Sequence, residues 1–241
     1  MKAVIILAFV LLSAACGRES LIPDSPHEQY EEAAAKTASD PRIFTEAPAS
    51  PDPKAKYLFY LHGRIIEEEG MNAVSPEFGE YEYSAILETF ADRGFIVISE
   101  VRPKNTDVTK YAQKVADQVN ALIGAGVPPG NITVAGASKG GVIAHKASSI
   151  LHNKDLNFAL LAACGKGYLE GFQPDLYGNV LSVYDYKDNK GAGSCADFFA
   201  KSKGLNHHKE IELKLGLGHG ILYKPMEEWV EPTVEWAGGK Y

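Results

Sequence analysis

The sequence is poor in cysteine, methionine and tryptophan, with 3, 3 and 2 of them in 241 residues. Three cysteines are too few for a disulfide-dense scaffold, and neither a Cys-x-x-Cys nor a His-Glu-x-x-His spacing occurs, so no metal site and no cofactor are expected. Cations are outnumbered: 24 Lys and Arg stand against 31 Asp and Glu, a formal net charge of −7. Nucleic acid is excluded as a partner on that ground, because phosphate binding needs a basic surface. Long apolar runs are also missing. The longest, residues 3–12, is half of the ~20 residues that a spanning helix needs. No internal repeat is evident. What remains is 45% hydrophobic and 23% charged, the composition of one globular domain of ordinary size.

That apolar run follows the positive Lys2 and ends in Ser13-Ala14-Ala15-Cys16. The pattern reads as a signal peptide over residues 1–15, the bland alternative being a buried N-terminal helix. Small residues before Cys16 resemble a bacterial lipobox, which implies lipidation of Cys16, a membrane partner through that anchor, and an exported protein of the cell envelope, lipid-anchored or periplasmic. The match departs at Ser13, where the motif usually has a bulky residue, so ordinary cleavage near Ala15 stays open. With Cys16 removed, Cys164 and Cys195 remain, an even number suited to an oxidising compartment.

Residues 16–55 are polar and interrupted by Pro23, Pro26, Pro41, Pro48, Pro51 and Pro53. They read as a tether, with a short edge strand possible over 42–45; for the second half, packing on the domain surface is an equal alternative. The domain proper is expected over 56–241. There, β-rich runs at 57–61, 95–99, 132–135, 158–162, 180–184 and 211–215 alternate with helical patterns at 83–93, 109–124, 140–151 and 223–236. Five runs are nearly continuous apolar stretches, as parallel strands covered on both faces require, and the sixth alternates like an edge strand. The alternation predicts an α/β fold, a doubly wound, mostly parallel sheet of about six to eight strands with helices on both faces.

Gly136-Ala137-Ser138-Lys139-Gly140-Gly141 follows one predicted strand and opens a predicted helix. A G-x-S-x-G string alone is weak, and a serine that merely caps the helix is the plain alternative. Its placement at a strand-to-helix turn is what singles out Ser138 as a nucleophile, with glycines where a side chain would strike backbone. His62-Gly63-Arg64 ends the first domain strand; Asp188 stands in a turn beyond the fifth, and His219 follows the last between Gly218 and Gly220.

These motifs resemble those of the α/β-hydrolases over essentially the whole of 57–236, including the chain order Ser, Asp, His. The resemblance implies a serine hydrolase cleaving an acyl bond, most readily a carboxylic ester, through an acyl-enzyme. Ser138 would be nucleophile, His219 general base and Asp188 the orienting acid, with Asp185 at the strand tip as the rival. It also implies an oxyanion hole from the backbone N–H of Lys139 and that near Gly63 or Arg64, His62 only steadying its loop. The family's sheet order makes the strands before Cys164 and Cys195 neighbours, which implies a disulfide between them, two free thiols being the alternative.

The acyl substrate is expected to be a small molecule, walled by the connection 65–83, with Phe78 and Tyr81, and by the loop 165–178, with Tyr168, Phe172 and Tyr177. The run Glu67-Glu68-Glu69 reads as solvated surface. Arg64, Glu100, Arg102 and Lys139 are expected near the rim, either binding a charged substrate or buttressing the rim as an Arg–Glu pair. A non-catalytic envelope lipoprotein using the fold as a binding or scaffold module is the competing class, against which stands the presence of every expected catalytic residue type.

Overall fold

The structure is a computed structural model that describes residues 40–165, 175–190 and 192–241. The segment 1–15 read as a signal peptide, Cys16 and the first part of the expected tether lie outside the described residues, as do Tyr168 and Phe172.

In chain order the elements are β1 (Ile43–Phe44), β2 (Lys56–Leu61), α1 (Arg64–Glu69), β3 (Val74–Ser75), β4 (Gly79–Glu80), α2 (Tyr83–Asp92) and β5 (Phe95–Ile98). There follow α3 (Val108–Gly124), β6 (Ile132–Ala137), α4 (Lys139–Leu151), β7 (Asn157–Leu161), β8 (Tyr177–Asp185), α5 (Ala196–Lys201), β9 (Gly204–Leu213) and α6 (Glu227–Ala237). A 7-stranded sheet has the order β1-β5-β2-β6-β7-β8-β9, and all its neighbours pair in parallel. The doubly wound parallel sheet expected from the strand–helix alternation is therefore what forms. β3 and β4 make a separate antiparallel hairpin.

Both faces of the sheet are covered, which is why its strands are apolar at consecutive positions. Alternation along β2 sends Leu58 and Tyr60 toward α2 and α6, where Phe90, Trp229 and Trp236 are buried. Tyr57, Phe59 and Leu61 go the other way, onto Val115, Val119 and Leu122 of α3 and Ile143 and Ala147 of α4. The start of α3 is set by Asp107, whose carboxylate accepts the Lys110 N–H at 2.8 Å. Such a cap is worth about 1 kcal/mol.

Residues 40–55 lie against the domain. Ile43 and Phe44 pair with Val97 and Ile98 of β5, Arg42 donates to the Ala91 carbonyl, and the Ala47 N–H donates to Gln118. Two boundaries differ most from the sequence reading. The last strand runs over Gly204–Leu213 and not 211–215, because its outer, solvent-facing half is polar and carries no apolar signal. The last helix starts at Glu227, since Gly218–Leu222 form a turn of 3₁₀ helix first.

The chain leaves β2 in the interior of the sheet, inserts β5 between β2 and the earlier β1 on one side, then crosses back to build β6 on the other. The loops after β2 and β6 thus diverge at the carboxyl edge, where open α/β sheets form their ligand crevice. His62-Gly63-Arg64 follows β2, and Ser138 follows β6.

Candidate active site

Ser138 joins β6 to α4 with φ 52° and ψ −119°, a sparsely populated conformation for a residue with a side chain. Holding it costs ~1–3 kcal/mol, and such strain persists only where the surroundings impose it. The close packing here comes from glycines. A Cβ on Gly140 would sit 1.8 Å from the Leu61 carbonyl oxygen, and one on Gly136 would sit 2.3 Å from that of Gly140. Only with both positions bare can α4 start so close to β2 and β6. Ser138 occupies the N-cap position of α4 but makes no side-chain cap hydrogen bond. The plain helix-cap reading of this serine therefore does not describe what its hydroxyl does.

His219 is 8% exposed and its Nδ1 lies 2.6 Å from Asp188 Oδ2, with the Asp188 side chain fully buried. A carboxylate can only accept, so Nδ1 carries the proton and Nε2 is left with its lone pair free. Asp188 is itself steadied by the Lys190 N–H, which donates to its other oxygen at 2.9 Å. The rival acid does something else. Asp185 Oδ1 accepts the N–H groups of Lys187 and Gly218, each at 3.0 Å, and its Oδ2 accepts those of Leu215 at 2.9 Å and Gly216 at 3.0 Å. Burial alone would raise this carboxyl, yet the amide donors outweigh it and hold it below the ordinary carboxylate value. Asp185 thereby ties the turn bearing Asp188 to the loop bearing His219. Gly218, at φ 56°, supplies the left-handed bend that brings this loop back.

Ser138 and His219 line one cleft of about 240 Å³ with Gly63, Arg64, Ile65, Phe78, Tyr81, Leu222 and Tyr223. Among the described residues the Ser138 hydroxyl has no hydrogen-bond partner, so serine and histidine share the cleft without a formed bond between them. Gly63 abuts the serine: a Cβ added there would lie 3.7 Å from Ser138 Cβ. The N–H groups of Gly63, Arg64 and Lys139 donate to no backbone acceptor in the turns and loops among the described residues. His62 is fully buried; its Nε2 accepts the Arg102 N–H at 3.0 Å and its Nδ1 donates to the Gly63 carbonyl at 2.8 Å. Burial, reinforced by the Arg102 charge, pushes its pKa down to about 3.

No protein-family model and no curated protein matches the sequence. Solved structures do. One is a protein of unknown function from Agrobacterium tumefaciens, described as a candidate α/β-hydrolase, at 17% identity and TM-score 0.51, covering 77% of this chain and 85% of that one. The fold is the α/β-hydrolase fold. A candidate YdeN-like hydrolase from Pectobacterium atrosepticum matches at 10% identity and TM-score 0.49, over 88% of this chain and 98% of that one. Esterase 2 of Thermogutta terrifontis, phosphoramylated by tabun, matches at 18% identity and TM-score 0.46, over 81% and 86%. At such identities the likeness concerns the α/β-hydrolase fold alone.

The structure also revises the rim. Glu67 is not solvated but buried, at 4% exposure, while Glu68 and Glu69 are exposed. Arg102 is buried as well, and its carboxylate partner is Glu67; Glu100 instead meets Lys114. Arg64 remains exposed on the cleft wall. Cys164 and Cys195 are joined in a disulfide with Cα atoms 5.0 Å apart. Among the described residues no cluster of His, Cys, Asp and Glu is arranged to hold a metal ion, and no helix is long and apolar enough to cross a membrane.

Proposed function

We propose that the protein is a serine hydrolase that cleaves a small acyl substrate, a carboxylic ester first among them, through Ser138, His219 and Asp188. The observation that carries the reading is one arrangement. A strained serine with no capping role lines a cleft with a histidine whose Nδ1–H is taken by a buried carboxylate at 2.6 Å.

In this reading the Ser138 oxygen attacks the acyl carbonyl and its proton passes to His219 Nε2. Negative charge gathers on the carbonyl oxygen, and the N–H groups of Lys139 and of Gly63 or Arg64 stabilise it. The imidazolium then returns the proton to the departing alcohol, leaving an acyl-enzyme that water, activated by the same histidine, hydrolyses. Asp188 fixes the imidazole tautomer throughout. Ile65, Phe78, Tyr81, Leu222 and Tyr223 offer an apolar wall to the acyl chain. No observation favours a purely scaffolding role.

The test is labelling by a fluorophosphonate probe together with turnover of aryl esters of graded acyl length. Wild type is expected to label and to hydrolyse, and Ser138→Ala to do neither while keeping its melting temperature. Undiminished labelling of Ser138→Ala refutes the assignment. Export and lipidation at Cys16 belong to the same proposal. A mature N-terminus at Cys16 bearing acyl mass, and release from the membrane fraction by Cys16→Ser, are the expected results; a mature Cys16 without acyl mass refutes the anchor.

A further inference from the structure

A buried ionic cluster lies beneath the oxyanion loop. Glu67 Oε1 accepts from Lys139 Nζ at 2.5 Å and from the Thr106 N–H at 2.9 Å, and Oε2 faces Arg102 Nε at 3.4 Å. Lys139 Nζ also donates to the Thr106 carbonyl at 2.8 Å. The Arg102 guanidinium donates to the His62 carbonyl, and the Arg102 N–H to the His62 ring. Side-chain exposures are 1% for Glu67, 0% for Arg102 and 11% for Lys139.

Such a cluster is a poor way to gain stability. Desolvating ions can cancel what their pairing returns, and here a single carboxylate faces two cations. Arg102 Nη1 is buried without any acceptor among the described residues. A buried polar atom left unsatisfied calls for an explanation, and position supplies one. Lys139 opens α4, and its N–H is one of the two donor positions in the reading above. Gly63 and Arg64, the other, follow His62 directly. The two arise from different strands, β6 and β2, and Glu67 is the group that reaches both: Lys139 directly, and His62 through Arg102.

We propose that Glu67 is a positioning residue that clamps the two halves of the oxyanion hole at a fixed separation, Lys139 and Arg102 being its two grips. The inference rests on Ser138 being the nucleophile for its kinetic consequence, but not for its structural one. The clamp acts on developing charge and not on substrate binding. Its loss therefore lowers kcat and the affinity for a tetrahedral boronic acid in parallel while KM stays near its original value.

The experiment uses the full chain carrying Lys139→Met, which keeps the stem and backbone N–H but removes the ammonium, together with Glu67→Gln and the double variant. Expected is a ~10- to 100-fold loss of kcat in each single variant, the scale set by donor misplacement and donor removal. The double variant is expected to be no worse than the poorer single one, since both break the same tie. Lys139→Arg is expected to restore part of the rate. Independently of catalysis, Lys139→Met is expected to speed amide hydrogen exchange in residues 62–66, across the cleft from the substitution. Should Glu67→Gln fail to fold, the Lys139 variants carry both measurements. The clamp is overturned if folded Lys139→Met keeps kcat and boronate affinity within about 3-fold of wild type, or if exchange in residues 62–66 is unchanged. A wild type that hydrolyses no ester and takes no probe counts against the Ser138 reading instead, and the exchange experiment still decides the clamp.

Discussion

Replacing Asp185 by asparagine tests how the Asp188 turn and the His219 loop are held together. The carboxylate accepts N–H groups from Lys187, Leu215, Gly216 and Gly218, two on each oxygen. Asparagine is nearly isosteric but keeps a single acceptor oxygen. Whichever way its amide turns, two backbone N–H groups then face an NH₂ group. A hydrogen bond to a charged group contributes ~1.5–3 kcal/mol, so losing two removes ~3–6 kcal/mol. That is a large share of the ~5–15 kcal/mol by which a domain is stable. At ~2–4 °C per kcal/mol for a domain of this size, the melting temperature is expected to fall by on the order of 10–20 °C. Because the bonds hold the loop that carries His219, an activity loss of ~100-fold is expected for a displacement of ~1 Å. The pH dependence follows from the depressed carboxyl. Its stabilisation is fully present above the unfolded value of ~3.9 and is lost as pH falls through the lower folded value. Wild type is thus expected to outlast Asp185→Asn at neutral pH, with the gap closing in acid below about pH 4. Scanning calorimetry across pH and aryl-ester kinetics supply the readings. A melting temperature within ~2 °C of wild type, with kcat unchanged, refutes the argument.

Asp188→Asn is expected to lower kcat by about 10⁴-fold, the loss a wrong imidazole tautomer causes in serine proteases, with the melting temperature far less affected than by Asp185→Asn; single-turnover kinetics check it. Gly140→Ala drives a methyl into the Leu61 carbonyl, 1.8 Å away; overpacking of this kind costs at least ~1–3 kcal/mol, and soluble yield and melting temperature are expected to drop together. Reducing the Cys164–Cys195 bridge, which closes a sequence separation of 31, is expected to remove ~3–4 kcal/mol, read from urea unfolding with and without reductant. The His62 imidazole is expected to stay neutral down to a pH near 3, and nitrogen NMR showing it titrate at the ordinary ~6.5 contradicts its burial.

The fold was legible where burial on both sides leaves a continuous apolar run. β2, β5, β6, β7 and β8 are such runs, and their alternation with helical patterns is enough to imply a parallel sheet. β9 was legible only at its inner end, because His207, His208 and Lys209 face solvent on an edge strand and mimic a loop. α1 was missed since six residues, three of them glutamate, are too short to show a period. At the site, Ser138, Asp188 and His219 could be singled out because each follows a strand and stands in a distinctive turn. Asp185 and Glu67 could not be assigned their roles. Each acts through amides or cations delivered by segments distant in sequence, and a carboxylate bound in that way looks, in one dimension, like any other. The charge run 67–69 misled for the same reason: one of three adjacent glutamates turns inward onto partners from two other loops.

The hairpin of β3 and β4 has a consequence for how such a protein can change. Phe78, which faces the cleft, sits in the turn of this hairpin, apart from the large sheet, whereas Asp188, His219 and Ser138, the groups proposed to move the proton, follow β8, β9 and β6. One wall of the cavity and the proposed triad are thus carried on different stretches of chain, which meet where Phe78 lies against Gly220 and Glu77 pairs with Lys190 at 2.6 Å. In the proposed reading, substitution of Phe78 alone is expected to alter the choice of acyl group while Ser138, Asp188 and His219 stay in place, so a change of substrate need not entail a change of chemistry.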